Sequence, residues 1–328
     1  MCDEKVTGQG DDWRPTATLA ALRRRARILA TIRDFFAERG VLEVETPLLG
    51  AATATGPYIQ SLKTQCHSMA GQDLYLQPSP ESAMKRLLAA GSGPIFQICK
   101  AFRDGEQGAL HNPEFTLLEW YRPGFPSHAL MAEAEGLLGR LLRIDPVRRM
   151  TYREAFQKYA DLDPFTISTQ SLRQYANETM AVEARTAMYL EREACLDLIL
   201  CHRIQPALKQ QATWLYEFPA SQAQLARIRA RTPPVADRFE LFIAGVELAN
   251  GYCELTDSQE QAQRFRGDRT MRRRLGLADV PMDTRLLRAL EQGLPECSGI
   301  ALGLDRLVML CAGEVHLEAV LSFPISRA

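Results

Sequence analysis

Apolar positions recur at helical spacing between Ala17 and Arg39, at Leu19, Leu22, Ala26, Leu29, Ile32 and Phe36, and Gly40 ends the run. The period then shortens: Val41–Thr46 alternates as a strand and stops at Pro47. Leu74–Gln77 predicts a second short strand, and Ser79-Pro80-Glu81 opens a helix that runs to about Ala90. From Ile95 to Arg122 the chain reads as two strands around a polar loop, Asp104–Pro113, turned by Gly105 and Gly108. The return strand puts Phe115, Leu117, Glu119 and Tyr121 on one face. An aromatic plate, a carboxylate and a phenol thus line up, with Arg103 at the lip of the loop. The same pattern also describes an amphipathic hairpin whose Glu119 and Tyr121 simply face water.

Residues 127–213 read as helices with polar joints, at Ala129–Leu142, Tyr152–Tyr159, Ser171–Glu178 and Tyr189–Ile204. Next comes a strand pair, Arg238–Ile243 and Val246–Leu255, turned by Gly245 and carrying Glu240, Glu247, Asn250 and Glu254. Steps of seven and three would also line one helix face. In a straight strand Glu247 and Glu254 point to opposite faces, and a bulge at Gly251 could reunite them. Clustered carboxylates and an amide offer hard oxygen ligands suited to Mg²⁺ shared with phosphates. Helices follow at Asp257–Leu275 and Met282–Gln292, then a small-residue run from Cys297 to Gly303 and a helix that begins near Arg306, a setting that favours anions.

Composition narrows the class. The 328 residues are 46% hydrophobic and 24% charged, with a formal net charge of −1, so no global basic field marks a general nucleic-acid binder. Basic runs are local: Arg23–Arg27, Arg227/Arg229/Arg231 and Arg272–Arg274, each ordinarily a solvated face. The eight cysteines show no C-x-x-C pair and no zinc spacing. With no signal peptide and no apolar stretch of about 18 residues, the expectation is a cytoplasmic protein away from membranes. Residues 1–16 are expected to be a flexible tail.

FRxx…HNPEFTLLEWY resembles motif 2 of the class II aminoacyl-tRNA synthetases in its lysyl-tRNA synthetase form. The long helix, strand and Pro47 resemble motif 1, the dimer element of that family, and G-x-x-x-G-x-D-R at Gly299–Arg306 resembles motif 3. The segment FELFIAGVELANGYCELTDSQEQAQRF is similar almost residue for residue. The resemblance covers roughly 17–328. It implies an α/β (α+β) catalytic domain with a mostly antiparallel sheet flanked by helices, interrupted by a helical insertion at about 127–213. It also implies a homodimer that uses ATP and Mg²⁺.

Residue by residue, the resemblance implies Arg103 and Arg306 as the catalytic phosphate-binding pair. Ser79, Pro80, Glu81, Glu119, Tyr121, Asn250, Glu254 and Ala301 would hold the amino acid. Asp104, Gly105, Glu106, His111, Asn112, Phe115, Glu247, Leu248 and Gly303 would join the two arginines around ATP, with adenine between Phe115 and an Arg, in the first place Arg306. Glu240 and Glu247 would hold the metal.

Departures refine this. A motif 1 helix starting near residue 17 leaves no room for the anticodon-reading OB domain, so tRNA is not the expected acceptor. The pattern is similar to the truncated relatives that activate (R)-β-lysine and join it to a lysine of elongation factor P. Ala301 stands where lysyl-tRNA synthetases carry Gly, and Ser79 where they usually carry Ala. The motif 2 Glu is displaced from Gly105 to Glu106. Two other readings stay open: a tRNA- or small-molecule-aminoacylating enzyme, and a non-catalytic paralogue, which would have no use for an intact ATP site.

Overall fold

The computed structural model describes residues 13–69, 71–144, 146–180 and 189–328. Helix α1 (Leu19–Ala37) is capped by Thr18, whose Oγ1 accepts from the Ala21 amide at 3.1 Å. Its inward stripe is Ala21, Ile28, Ile32, Phe35 and Phe36, the 3.6-residue period of the sequence made physical. Of the expected tail, residues 1–12 lie outside the described residues, and Thr16 is fastened by its amide to Ser322 O at 3.0 Å.

Twelve strands follow among the described residues. They are β1 (Leu42–Glu43), β2 (Leu49–Gly50), β3 (Lys63–Cys66), β4 (Gln72–Leu76), β5 (Ile95–Phe102), β6 (Glu114–Pro123), β7 (Arg148–Thr151), β8 (Thr213–Pro219), β9 (Ile228–Arg229), β10 (Val235–Ile243), β11 (Val246–Cys253) and β12 (Cys297–Gly303). The main sheet runs β1-β5-β6-β12-β11-β10-β8-β7, with β9 on β10. Its centre is antiparallel; only the outer pairs β1/β5 and β7/β8 are parallel. β2, β4 and β3 form a small second sheet.

The helices are α2 (Glu81–Ala89), α3 (Ser127–Gly139), α4 (Tyr152–Ala160), α5 (Thr169–Met180), α6 (Arg192–Ile199), α7 (Ser258–Arg274), α8 (Thr284–Gly293) and α9 (Leu304–Ala312). One face of the sheet is covered by α1, α3 and α9, through Phe36, Leu130, Leu137, Leu307 and Val308 against Trp120, Phe239 and Ile300. The other face is covered only at its ends. At the β8/β10 end, Tyr152 and Phe156 of α4 and Leu196 of α6 pack on Leu215, Phe218 and Phe242. At the β5/β6 end, Met84 and Leu88 of α2 and Leu286 of α8 pack on Ile95, Tyr121 and Cys297. The middle of that face is the floor of a trough.

Two expectations change here. Helix α3, grouped with the insertion by pattern, packs into the main core instead. The insertion also carries β7 and supplies an edge of the sheet, strands too short and too far apart for local alternation to reveal.

Candidate active site

One cross-strand row organises the trough. Gln97, Glu119, Ala301, Asn250 and Glu240 are directly opposite one another across β5, β6, β12, β11 and β10. Directly paired residues project to the same face, so two carboxylates, two amides and a methyl group share one line. The neighbouring row on that face is Ile95, Tyr121, Gly299, Tyr252 and Arg238. The expectation of a bulge at Gly251 is corrected. The register slips between Leu241 and Phe242, so the extra residue is Leu248, and Glu247 comes opposite Phe242 on the trough face. Gly251 is required for another reason: a Cβ there would stand 2.8 Å from Gly299 O and 2.6 Å from Phe239 Cζ. Leu248 turns its side chain into the core on the far face, so it can offer a nucleotide only its backbone.

The carboxylate end is largely buried, with Glu81 alone partly exposed among its three glutamates. Glu119 and Tyr121 are each 2% exposed, so the water-facing hairpin is excluded. Glu119 accepts from Tyr121 Oη at 2.6 Å and from Ser79 Oγ at 2.8 Å, while Ser79 Oγ also accepts from the Glu81 amide at 3.1 Å. The Ser79-Pro80-Glu81 start of α2 thereby fixes Glu119 as well as beginning a helix. Lys85, one turn on, lies 2.6 Å from both Glu81 Oε1 and Glu254 Oε2. Burial pushes the Glu119 carboxyl up to about 8, with Glu81 adding to it. Burial likewise raises Glu254 to about 7, offset by Lys85. The Asn250 Oδ1 atom is buried without a protein partner among the described residues, which a ligand's N–H would satisfy.

The opposite end is cationic. Arg306, in the first turn of α9, donates through Nη1 to Glu247 O at 2.7 Å, and its Nη2 meets His111 Nε2 at 2.9 Å. Burial and Arg306 hold the His111 imidazole below its ordinary pKa. The Arg103 guanidinium stands 5.1 Å over the Phe115 ring and 3.4 Å from Glu106 Oε1. The Phe115 ring is therefore faced by Arg103, while Arg306 is engaged with Glu247 O and His111. Gly105 has φ +76°, which turns the loop and leaves Glu106 to reach back to Arg103. Asp104 is exposed, and its amide donates to Gln60 O at 2.8 Å.

Asn112 uses its amide internally, to Glu114 O at 2.6 Å and from the Ile325 amide at 3.0 Å, tying the loop to the C-terminal segment. A Cβ at Gly303 would meet only Arg306, at 3.5 Å, so protein packing does not demand glycine there.

For a metal, Glu240 and Glu247 share the trough face. Glu240 is bonded by the Arg238 guanidinium, and its carboxyl is raised by burial to about 7, offset by Arg238. Among the described residues no group of three or more metal-ligating side chains converges. Two carboxylates without a closed protein cage suit Mg²⁺, which takes one or two carboxylates and completes its shell with water and substrate phosphates. Residue-type reasoning missed Lys85 and Arg238, the buried cations behind the acidic residues. The i,i+4 spacing from Glu81 is the one local signal for Lys85.

A mostly antiparallel sheet with motif 2 and motif 3 arginines flanking its trough defines a class II synthetase-type catalytic domain. The family model of class II tRNA synthetases (D, K and N) matches residues 9–327, and the chain belongs to that family. It is 49% identical over 322 residues to the elongation factor P–(R)-β-lysine ligase of Pseudoalteromonas translucida, covering 96% of this chain and 98% of that one. It is 48% identical to the ligase of the same name from Vibrio cholerae, over 97% and 99% of the two chains. The Salmonella arizonae ligase is 46% identical, over 96% and 98%.

Proposed function

We propose that this chain activates (R)-β-lysine with ATP and transfers it to the ε-amino group of a specific lysine of elongation factor P. The observation that carries this reading is the pocket of Glu81, Glu119 and Glu254 facing the Arg103/Arg306 end of the same trough, in a chain similar throughout to ligases of that name. The carboxylates and Tyr121 hold the two ammonium groups. Asn250 Oδ1 accepts from one of them. The substrate carboxylate is thereby aimed at the arginines.

In the first step a carboxylate oxygen attacks the α-phosphorus in line. The bond to the β-phosphate oxygen breaks, and pyrophosphate leaves. Arg103 neutralises charge at the α-phosphate, and Arg306 holds the γ-phosphate. Glu240 and Glu247 would hold Mg²⁺, which when bound would further neutralise the phosphate chain. In the second step a neutral lysine amine attacks the adenylate carbonyl. The carbon–oxygen bond to AMP breaks, AMP leaves with the electron pair, and the nitrogen loses its proton as the amide forms. Chemistry of this kind rests on positioning and charge neutralisation, and needs no protein nucleophile.

Pyrophosphate exchange with (R)-β-lysine and α-lysine, followed by the mass of added elongation factor P, tests the proposal. A mass gain of one lysine residue on the partner is the expected result. Esterification of tRNA with no change in the partner would favour the aminoacylating enzyme. No exchange with any diamino acid would favour a non-catalytic role.

Homodimerisation through motif 1 is part of the same reading, supported by the exposed leucines that follow α1, Leu42, Leu48 and Leu49; light scattering checks it. A cytoplasmic, reducing location also fits: seven described cysteines are free thiols, and no described helix is long and apolar enough to cross a membrane.

The arginine runs differ as docking surfaces. Arg272 is buried and donates to Gly56 O at 3.1 Å and Gln60 Oε1 at 2.9 Å. Arg229 and Arg231 are paired with Glu217, and Arg227 with Asp237. Arg23 and Arg27 are exposed on α1, on the helical side away from the trough.

Two outcomes follow from the pocket. Ala301 places its methyl between Glu119 and Asn250, so Ala301→Gly opens the floor beneath the substrate. The kcat/KM ratio of α-lysine to β-lysine should rise about ten- to hundred-fold, the usual discrimination of one methyl group. An unchanged ratio would remove Ala301 from substrate selection.

The second concerns pH. With Glu119 near 8 and Glu254 near 7 in the empty pocket, both hold protons in acid and must lose them to pair with ammonium groups. KM for the diamino acid should therefore fall by about tenfold or more between about pH 6 and about pH 8, while KM for ATP stays nearly level. A pH-independent diamino-acid KM over that range would show that these carboxylates do not meet the amines.

A further inference from the structure

Lys85 is an ammonium group placed where few lysines are found. Its side chain is 2% exposed, on the inward face of α2 beside Met84 and Leu88. Both of its carboxylate partners belong to the amine pocket: Glu81 on its own helix and Glu254 just beyond β11, each at 2.6 Å. Apolar Phe265, Leu286 and Leu290 belong to the same cluster as Met84 and Leu88. The titratable groups beyond its two partners are Glu119 and Tyr121 on β6, Tyr252 on β11 and Cys297 on β12.

Burying a charge this completely is costly unless its partners are close and fixed. A leucine or methionine would pack the same space without that cost, so stability alone does not account for the residue. The charge count of the pocket does. Glu81, Glu119 and Glu254 would together carry three negative charges when ionised, and Lys85 cancels one. The remainder equals the charge of two ammonium groups. Lys85 also bridges Glu81 and Glu254, which approach the pocket from different elements, and so fixes their spacing before any substrate arrives.

We propose that Lys85 is the built-in counter-cation of the amine pocket, positioning Glu81 and Glu254 and setting the pocket's net charge to match a substrate with two ammonium groups. The proposal rests on the diamino-acid reading above. Lys85 does not touch substrate; it is a positioning residue that works through its two carboxylates. Burial alone would lower its pKa, but Glu254 and Glu81 outweigh burial and hold it above the ordinary lysine value, so the charge persists at any working pH. Without it, Glu81 and Glu254 would face Glu119 uncompensated, and the pocket would take up a proton in place of an ammonium group.

The test is Lys85→Met, which keeps an unbranched apolar stem of nearly the same length and removes the charge. An opposite charge at this range moves a carboxylate by about one to three pH units, so KM for (R)-β-lysine in pyrophosphate exchange should rise about 10- to 100-fold near pH 7 and recover most of that by about pH 9. KM for ATP should change by less than about twofold. A carbon-13 titration of the glutamate carboxyls, which needs no activity, should show the Glu254 midpoint moved up by about a unit or more. Should the parent protein exchange with no diamino acid, the functional reading fails, and the carboxyl titration still decides the role of Lys85. Unmoved carboxyl midpoints would overturn the proposal. So would a variant that loses thermal stability and weakens both substrates equally at every pH, since that is the behaviour of a merely structural ion pair.

Discussion

Arg306→Ala should lower (R)-β-lysine-dependent pyrophosphate exchange by about 10³-fold or more, the scale on which arginines act at a phosphoryl-transfer transition state. The reason lies in how the side chain is held. The start of α9 brings Arg306 to the trough, and its Nη1 is anchored on Glu247 O at 2.7 Å while Nη2 meets His111 of the motif 2 loop. One guanidinium thus joins the loop, the acidic strand and the helix terminus. Arg306→Lys should recover only a small part of the rate, because an ammonium keeps the charge but not the planar fork. Circular dichroism should show an unchanged fold in both, since α9 is held in the core by Leu304, Leu307 and Val308. Exchange at the parental rate in Arg306→Ala would mean that the γ-phosphate is held elsewhere.

Gly299→Ala should severely damage the amine pocket by the addition of a single methyl group. A Cβ at that position would lie 2.5 Å from both Tyr121 Cδ1 and Glu254 Oε1. Neither neighbour can step aside freely: Tyr121 is tied to Glu119, and Glu254 to Lys85. Overpacking a filled site costs about 1–3 kcal/mol, and here the displaced groups are the ones proposed to meet the substrate. The expected result is a rise of about 100-fold or more in KM for the diamino acid, with a small change for ATP and a lowered melting temperature. Gly303→Ala is the comparison, because its Cβ would make an ordinary 3.5 Å contact with Arg306 Cδ and should leave stability nearly intact. Equal losses in the two variants would refute the steric account.

The sequence by itself determined the elements that carry a strong local period and the residues that form contiguous motifs. The stripe of α1, the β5–β6 hairpin, the β10–β11 pair and the start of α9 are legible because a helix or strand writes its buried face at fixed intervals along its own residues. The shared face of Phe115, Glu119 and Tyr121 is a matter of strand parity, which needs no neighbour. Parity failed at β11, where an extra Leu248 reverses the count, and a bulge depends on how two strands are matched rather than on either one. β7 was missed for a related reason: it has four residues, too few to show an alternation, and it pairs with β8, distant in the chain.

Tertiary structure alone decided which residues stand side by side. Glu119, Ala301, Asn250 and Glu240 come from four strands, and only the sheet order sets them in one row. It also separated roles that residue type leaves alike. Arg272 and Arg23 both sit in basic runs, yet one is buried against the backbone of Gly56 and Ile59 while the other faces water. Lys85 is the clearest case. Its pairing with Glu81 is written in the i,i+4 spacing, but its contact with Glu254 exists only because α2 packs beside the end of β11. Ionisation responds to burial and to charges within a few ångströms, and those distances are properties of the packed molecule rather than of the chain.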